Sequence, residues 1–408
     1  MKGKPASTEE PRCFYYRRND ASHLKNSNFD QVLSASLTQS TANRFRYRNR
    51  TMDIGTTSKR LILGTRFFKQ AALGLLIACL AHIASAQEPG FSVHGEKPAL
   101  GRASSGSWDS TYLDPGTVVF HENAFHMLYV AIPRWPHPLA IGYAKSSDGH
   151  AWVRQSEAPV LSPDQTGSLS ATSIIASSAL VTEDGTWVLY FTSVAPGESF
   201  YGQVARATAP GPKGPWTVDP EPVLIPGPEG AWDGLAVGDA SVVRHDGGYA
   251  MYYTGFGNIQ NGAFSEKRAN IGMATSADGM TWKKHDNPAT KDTLYDVSDP
   301  VFTVTTDQAG WDTFRIVDPN VQKTPDGWLM AYRGATFDSA TSIGLASSPD
   351  GINWTRVSDT PELTNENTGK KIFFMTLLSR PAQDYLFVEL GSSSSTDAYV
   401  ATRPRLSE

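Results

Sequence analysis

Three stretches of this 408-residue chain spell one pattern, Ser-x-Asp-Gly-x-x-Trp: Ser146 to Trp152, Ser276 to Trp282 and Ser348 to Trp354. A degenerate fourth copy ends in Gly214-Pro215-Trp216, so the tryptophans fall at 152, 216, 282 and 354, in steps of 64, 66 and 72 residues. A repeat at that period fixes architecture before any single residue does. The motif is a turn: Asp bonds nearby amides, Gly takes a positive φ, and Trp offers a broad apolar wedge to whatever lies beside it. A turn device repeated in every module belongs to the scaffold.

The same order of elements precedes each motif. An apolar strand, a polar turn, a strand ending in aromatics, a loop and a third strand of small residues recur as Gly116–Phe120, Phe125–Ala131 and Leu139–Ala144. They recur at Ser178–Val181, Trp187–Phe191 and Gly202–Ala207, at Ala240–Val243, Tyr249–Tyr253 and Asn270–Ala274, and at Asn320–Gln322, Trp328–Tyr332 and Ser342–Ala346. A less regular fifth unit has Phe373–Leu378, Tyr385–Glu389 and Ala398–Ala401. Short segments rich in Val, Tyr, Phe and Trp, bounded by Gly, Pro, Asn and Asp, are strands, and no long segment has a helical period. The fold class is therefore all-β: a five-bladed β-propeller of four-stranded antiparallel blades.

The N-terminal part obeys other rules. Lys59-Arg60 to Lys69, the apolar run Ala71 to Ala81 and Ala84-Ser85-Ala86 before Gln87 read as a secretory signal peptide, too short to span a bilayer as a helix. The expected division is 1–51, a polar upstream extension that is disordered or mis-assigned, 52–86, the signal peptide, and 87–408, the propeller. Leu76-Ile-Ala-Cys79 offers a lipid-anchor alternative. Both cysteines, Cys13 and Cys79, precede Gln87, so a secreted or periplasmic domain would fold without disulfides. A net charge of −5 provides no basic stripe for nucleic acid.

Blade topology sorts residues by face. First-strand starts and the loops between second and third strands surround one channel mouth, and the Asp-Gly turns lie on the other face. The rule brings Asp114, Asp239 and Asp318 to the mouth as equivalent strand starts, with Glu198 and Glu266 as further acids. Arg134, Trp135, His137, Tyr201, Arg268, Arg315 and Arg333, with Trp108, are the candidate substrate-binding groups. Asp109, Asp233 and Asp312, each after a Trp, read as structural. Converging carboxyls suit glycoside hydrolysis, which needs a base or nucleophile on one side of the anomeric carbon and a protonated acid at the leaving oxygen. His121, His126 and His137 lack a metal-ligand spacing, and no motif calls for a cofactor.

The five-unit layout, Asp114-Pro115 opening the first blade and the Ser-x-Asp-Gly-x-x-Trp turns resemble the five-bladed glycoside hydrolases of families 43, 32, 68, 62 and 130, closest to family 43, over residues 100 to 402. The resemblance implies an inverting glycosidase acting on arabinan, xylan or fructan, with Asp114 as base, Asp239 as the second Asp and Asp318 where the family has its Glu acid. That last position departs from the pattern, leaving Glu266 and Glu198 as other acids and keeping family 130, whose phosphorylase-like members use an Asp acid, as an alternative beside a non-catalytic binding propeller. A channel calcium ion, found in some of these enzymes, is not indicated. The expected partner is a carbohydrate, with no nucleic acid, no membrane after leader cleavage, and a monomeric state.

Overall fold

A computed structural model of the chain describes residues 90–405, apart from 135–136, 196–201, 262–263, 307–309 and 338–340, and only the backbone of 259–267. The predicted leader and Glu198 lie outside the described residues. The chain enters at β1 (Ser92–Val93) and then builds blade one from β2 (Tyr112–His121), β3 (Ala124–Ile132), β4 (Ala140–Ser146) and β5 (Val153–Arg154). Blade two is β6 (Ser173–Val181), β7 (Trp187–Val194), β8 (Gln203–Ala209) and β9 (Thr217–Val218). Blade three holds β10 (Ala236–His245), β11 (Gly248–Asn261), β12 (Phe264–Ser276) and β13 (Lys283–Lys284), with β14 (Pro300–Phe302) added against β12. Blade four is β15 (Arg315–Thr324), β16 (Gly327–Ala335), β17 (Thr341–Ser348) and β18 (Thr355–Arg356), and β19 (Lys371–Ser379), β20 (Gln383–Ser392) and β21 (Ser395–Pro404) belong to blade five.

Neighbouring strands within a blade pair antiparallel, as the short turns between them require. Blade five takes its fourth strand from the other end of the chain: β1 pairs β21, with Ser92 opposite Thr402. This explains why the fifth unit has no Asp-Gly turn in the sequence. Its outer strand needs no connection from the third.

The repeated turns form as their chemistry dictates. Asp148 Oδ1 accepts the amides of His150 and Ala151 at 2.8 and 3.0 Å, and Gly149 holds φ +79°. Trp152 meets Phe387 edge to face at 5.5 Å, Trp282 meets Tyr190 at 6.0 Å and Trp354 meets Tyr252 at 5.5 Å. Each ring thus seals one blade against the preceding one, and Trp152 on Phe387 closes the circle between blades one and five. The Trp-Asp pairs are a second scaffold device. Asp109, Asp233 and Asp312 are buried, each accepting a tyrosine hydroxyl (Tyr129, Tyr253, Tyr332) and pairing with Arg154, Lys284 or Arg356.

A third device sets the height of the innermost strands of blades two to five. Ala179 N–H donates to Thr117 Oγ1, Val242 N–H to Ser178 Oγ, Val321 N–H to Ser241 Oγ and Leu377 N–H to Asn320 Oδ1, at 2.9–3.2 Å. Each of these four blades therefore hangs its first strand on one polar side chain of the blade before it. These buried bonds fix equivalent positions around the channel, and the candidate site is measured from them.

Candidate active site

Counting from those anchors, Asp239 and Asp318 stand two residues before Ser241 and Asn320, whereas Asp114 stands three before Thr117. The three are not equivalent strand starts, as the sequence had implied. The first strands of blades one, three and four carry the same bulge, but Asp114 holds the paired position ahead of it, opposite Val130, which Gly238 and Val317 hold in blades three and four; Gly116, inside the bulge at φ +56°, donates its N–H 2.8 Å to Asp114 Oδ1. In blades three and four the aspartate itself takes the left-handed conformation, at φ +48° for Asp239 and +54° for Asp318. Asp is one of the few non-glycine residues that tolerate this region, and strain of this kind gathers at functional sites.

The second strands contribute a matching ring. Two residues beyond the partners of the four anchors, and of Thr376 at the same place in blade five, lie Val130, Thr192, Thr254, Arg333 and Glu389. Each faces the next blade. Thr192 Oγ1 accepts the Asp239 N–H at 2.9 Å, and Thr254 Oγ1 accepts the Asp318 N–H at 3.0 Å. Arg333 stacks over Phe374 of blade five at 4.5 Å and ion-pairs with Asp318 of its own blade. Glu389 raises the neighbouring Asp114 by its charge and accepts a hydrogen bond from the Thr396 hydroxyl.

Four carboxyl groups are gathered: Asp114, Asp239, Asp318 and Glu389, only 9%, 8%, 4% and 4% exposed. Asp114, Asp239, Asp318, Asn320 and Phe374 line a cavity of about 20 Å³, room for about one water molecule. Ionising all four there against the Arg333 charge would leave a large uncompensated charge out of water, so protons are retained instead. Burial first, then the charge of Glu389, hold Asp114 well above the usual carboxylate range, against the pull of the Gly116 amide and Arg333. Burial and Asp318 do the same to Asp239, opposed by Arg333 and the Thr254 hydroxyl. Glu389 is pushed up to about 7, chiefly by burial, with Thr396 and Arg333 pulling it back.

Oδ2 of Asp239 and Oδ1 of Asp318 are buried and meet no donor among the described residues. The two carboxyls are nevertheless within hydrogen-bonding reach of each other. One proton shared between them supplies the missing donor, the usual outcome when two acids share a dry site. Arg333 ion-pairs with Asp318, and Asp239 is the member of the pair whose carboxyl is held well above the usual range, which makes it a candidate acid beside the expected Asp318.

Other expected residues fall elsewhere. Trp108 is no substrate platform: it stacks on Tyr129 at 5.7 Å within an apolar cluster beside Asp109. Arg134 and His137 bond each other at 2.8 Å on the exposed rim, and Arg333 lies within β16, not in a loop. Arg268 and Arg315 flank the seam of blades three and four, where Ala269 bridges Arg315, and both have polar or ring contacts. Glu266 sits on the β11–β12 hairpin opposite Ile259, its side chain undescribed, and Trp135 and Tyr201 lie outside the described residues. His126 is buried in the scaffold, its Nδ1 2.7 Å from the Tyr143 hydroxyl. Glu389 was missed. Its signal is positional, the third residue of Phe387-Val-Glu389, which repeats Tyr190-Phe-Thr192, Tyr252-Tyr-Thr254 and Ala331-Tyr-Arg333.

No family model matches the sequence, and neither does any curated protein. Solved structures do match. A glycosyl hydrolase from Bacteroides ovatus superposes with a TM-score of 0.57 at 19% identity, over 78% of this chain and 95% of that one. A structure from the family 130 mannoside phosphorylases, a family described as containing hydrolases that target β-1,2 mannosidic linkages in Candida mannan, gives 0.58 at 20%, over 78% and 94%. The β-1,2-mannobiose phosphorylase of Listeria innocua gives 0.53 at 14%, over 77% and 96%. At such identities the likeness establishes the fold. It does not single out family 43.

Proposed function

We propose that this protein is a carbohydrate-active enzyme that cleaves a glycosidic bond with carboxyl groups at the mouth of its channel. The observation that carries the reading is the gathering of four buried carboxyls from four blades, three of them lining one small cavity and Glu389 beside Asp114, with one guanidinium among them. A binding propeller has no use for buried acids whose protons must be stored at a cost.

In this reading Asp114 accepts the proton of the attacking water through the oxygen not held by Gly116, and the water oxygen bonds the anomeric carbon. Asp239, from blade three, gives its proton to the departing oxygen as the glycosidic bond breaks. Asp318, fixed by Arg333, holds Asp239 protonated between turnovers, and Glu389 sets the basicity of Asp114. This course, in which water attacks directly with no glycosyl-enzyme intermediate, is the inverting one.

The names of the structural neighbours make β-mannosides the first substrate class to test, ahead of arabinan, xylan or fructan. Phosphorolysis is the second reading, favoured by the mannobiose phosphorylase among those neighbours. The same reading has the enzyme exported and monomeric. The test is turnover of β-1,2-mannobiose, aryl glycosides and plant polysaccharides, with and without inorganic phosphate, by the wild type and Asp114→Asn. Loss of turnover in a folded Asp114→Asn chain supports the reading, and a wild type inert on the whole panel favours a binding propeller.

A further inference from the structure

Blade five meets blade one through a side-chain hydroxyl, where the matching amides of blades two and three, Ile174 and Val237, meet the Leu139 and Gly202 carbonyls. Thr396, near the start of β21, is fully buried and lies where three chain segments meet. Its hydroxyl donates to Glu389 Oε1 and accepts the N–H of Leu113 at 3.1 Å, while its own N–H donates 3.0 Å to the Thr111 carbonyl. Leu113 directly precedes Asp114. One hydroxyl therefore joins the strand that carries one acid to the carboxyl of another.

We propose that Thr396 is a positioning residue of the active site: its hydroxyl clamps the Glu389 carboxyl to the edge of blade one, so that Glu389 and Asp114 keep a fixed spacing across the seam that closes the ring. The assignment rests on the function proposed above for the catalytic part, but the clamp itself is geometric. A hydroxyl has one proton to give and lone pairs to accept with. Here the proton goes to Glu389, and the Leu113 amide takes the acceptor side. Rotating the hydroxyl toward any other acceptor would strand a buried carboxylate, so the group is held in one orientation. The groups facing Glu389 are Asp114 from blade one, Asp318 and Arg333 from blade four, and Thr396 from its own blade. Among these, Thr396 and Arg333 favour the charged form of Glu389. Thr396 is the one that also holds blade one.

The test is the titration of the Glu389 carboxyl in the full chain, followed by carbon-13 NMR and assigned with Glu389→Gln. Thr396→Val removes the proton and the acceptor while keeping the shape. It is expected to raise the Glu389 midpoint by about one pH unit, and Thr396→Ser to restore it. In the wild type the Thr396 hydroxyl proton should give a slowly exchanging signal that follows the same titration. That measurement needs no variant to fold. An unmoved midpoint in Thr396→Val, a Thr396→Ser chain that fails to restore it, or a hydroxyl signal indifferent to Glu389 would overturn the clamp. The pH–rate profile separates the two ideas: a midpoint that moves while the profile stays put supports the clamp and removes Glu389 from the proposed chemistry.

Discussion

Replacing Glu389 by glutamine tests whether a buried acid in blade five is held protonated by its surroundings. Glutamine keeps the shape and can accept from Thr396, but it never ionises. Glu389 titrates at about 7 when folded instead of its ordinary 4.5, and that difference corresponds to about 3 kcal/mol. The sign follows from linkage: a carboxyl whose folded value is raised contributes stability that is complete below 4.5 and lost as the pH climbs to about 7. Above that range the folded wild type carries a buried charge that the variant lacks. Urea unfolding at pH 4.5, 6 and 8, followed by tryptophan fluorescence, reads the effect directly. The unfolding free energy of Glu389→Gln minus that of wild type should rise by about 3 kcal/mol between the first and last pH. A difference that stays constant across the three would refute the reasoning, because it would mean that Glu389 titrates alike in the folded and unfolded chains.

Five further outcomes are expected. Asp114→Asn and Asp239→Asn should each lower kcat by about 10²- to 10⁴-fold without unfolding the chain, measured by turnover beside circular dichroism. Proton NMR of the first product should show an inverted anomeric centre, and wild-type activity should fall as rising pH strips the proton from Asp239, whose folded value is raised. Arg333→Met leaves Asp318 buried without its partner and should cost about 3–5 kcal/mol at neutral pH, most of it recovered by adding Asp318→Asn, as read by chemical denaturation. Gly116→Ala combines a φ of +56° with a Cβ placed 2.2 Å from the Leu128 carbonyl oxygen, and should lower stability by more than about 1–2 kcal/mol.

The scaffold was legible because its devices are local. Ser, Asp, Gly and Trp lie within seven residues of one another in each turn, so a reader of the sequence meets the whole motif at once. The aspartates at the mouth were legible for the same reason, each standing just ahead of an apolar strand. The one-residue offset of Asp114 was hidden because it is defined by Thr117, Ser178, Ser241 and Asn320, whose partners are 57–80 residues away. Trp108 misled in the opposite way: an aromatic near the mouth in sequence was already spent on Tyr129. Glu389 lay in the unit without a turn motif, inside a strand, where one charged residue among apolar neighbours is easily taken for an edge position. The ion pair of Asp318 with Arg333 was hidden because the two are fifteen residues apart in sequence and meet through the bulged register of β15 and β16.

The pairing of β1 with β21 has a bearing on how the protein fails. Residues 92 and 402 share a ladder, so both ends of the folded chain are anchored in one blade. A protease or a pulling force that acts on either end meets blade five first, and the other four blades keep their internal hairpins when that latch gives way. Blade five also carries Glu389 and Thr396. Opening it separates them from Asp114 while most tryptophan seals remain shut, so inactivation should run ahead of the loss of bulk β-structure.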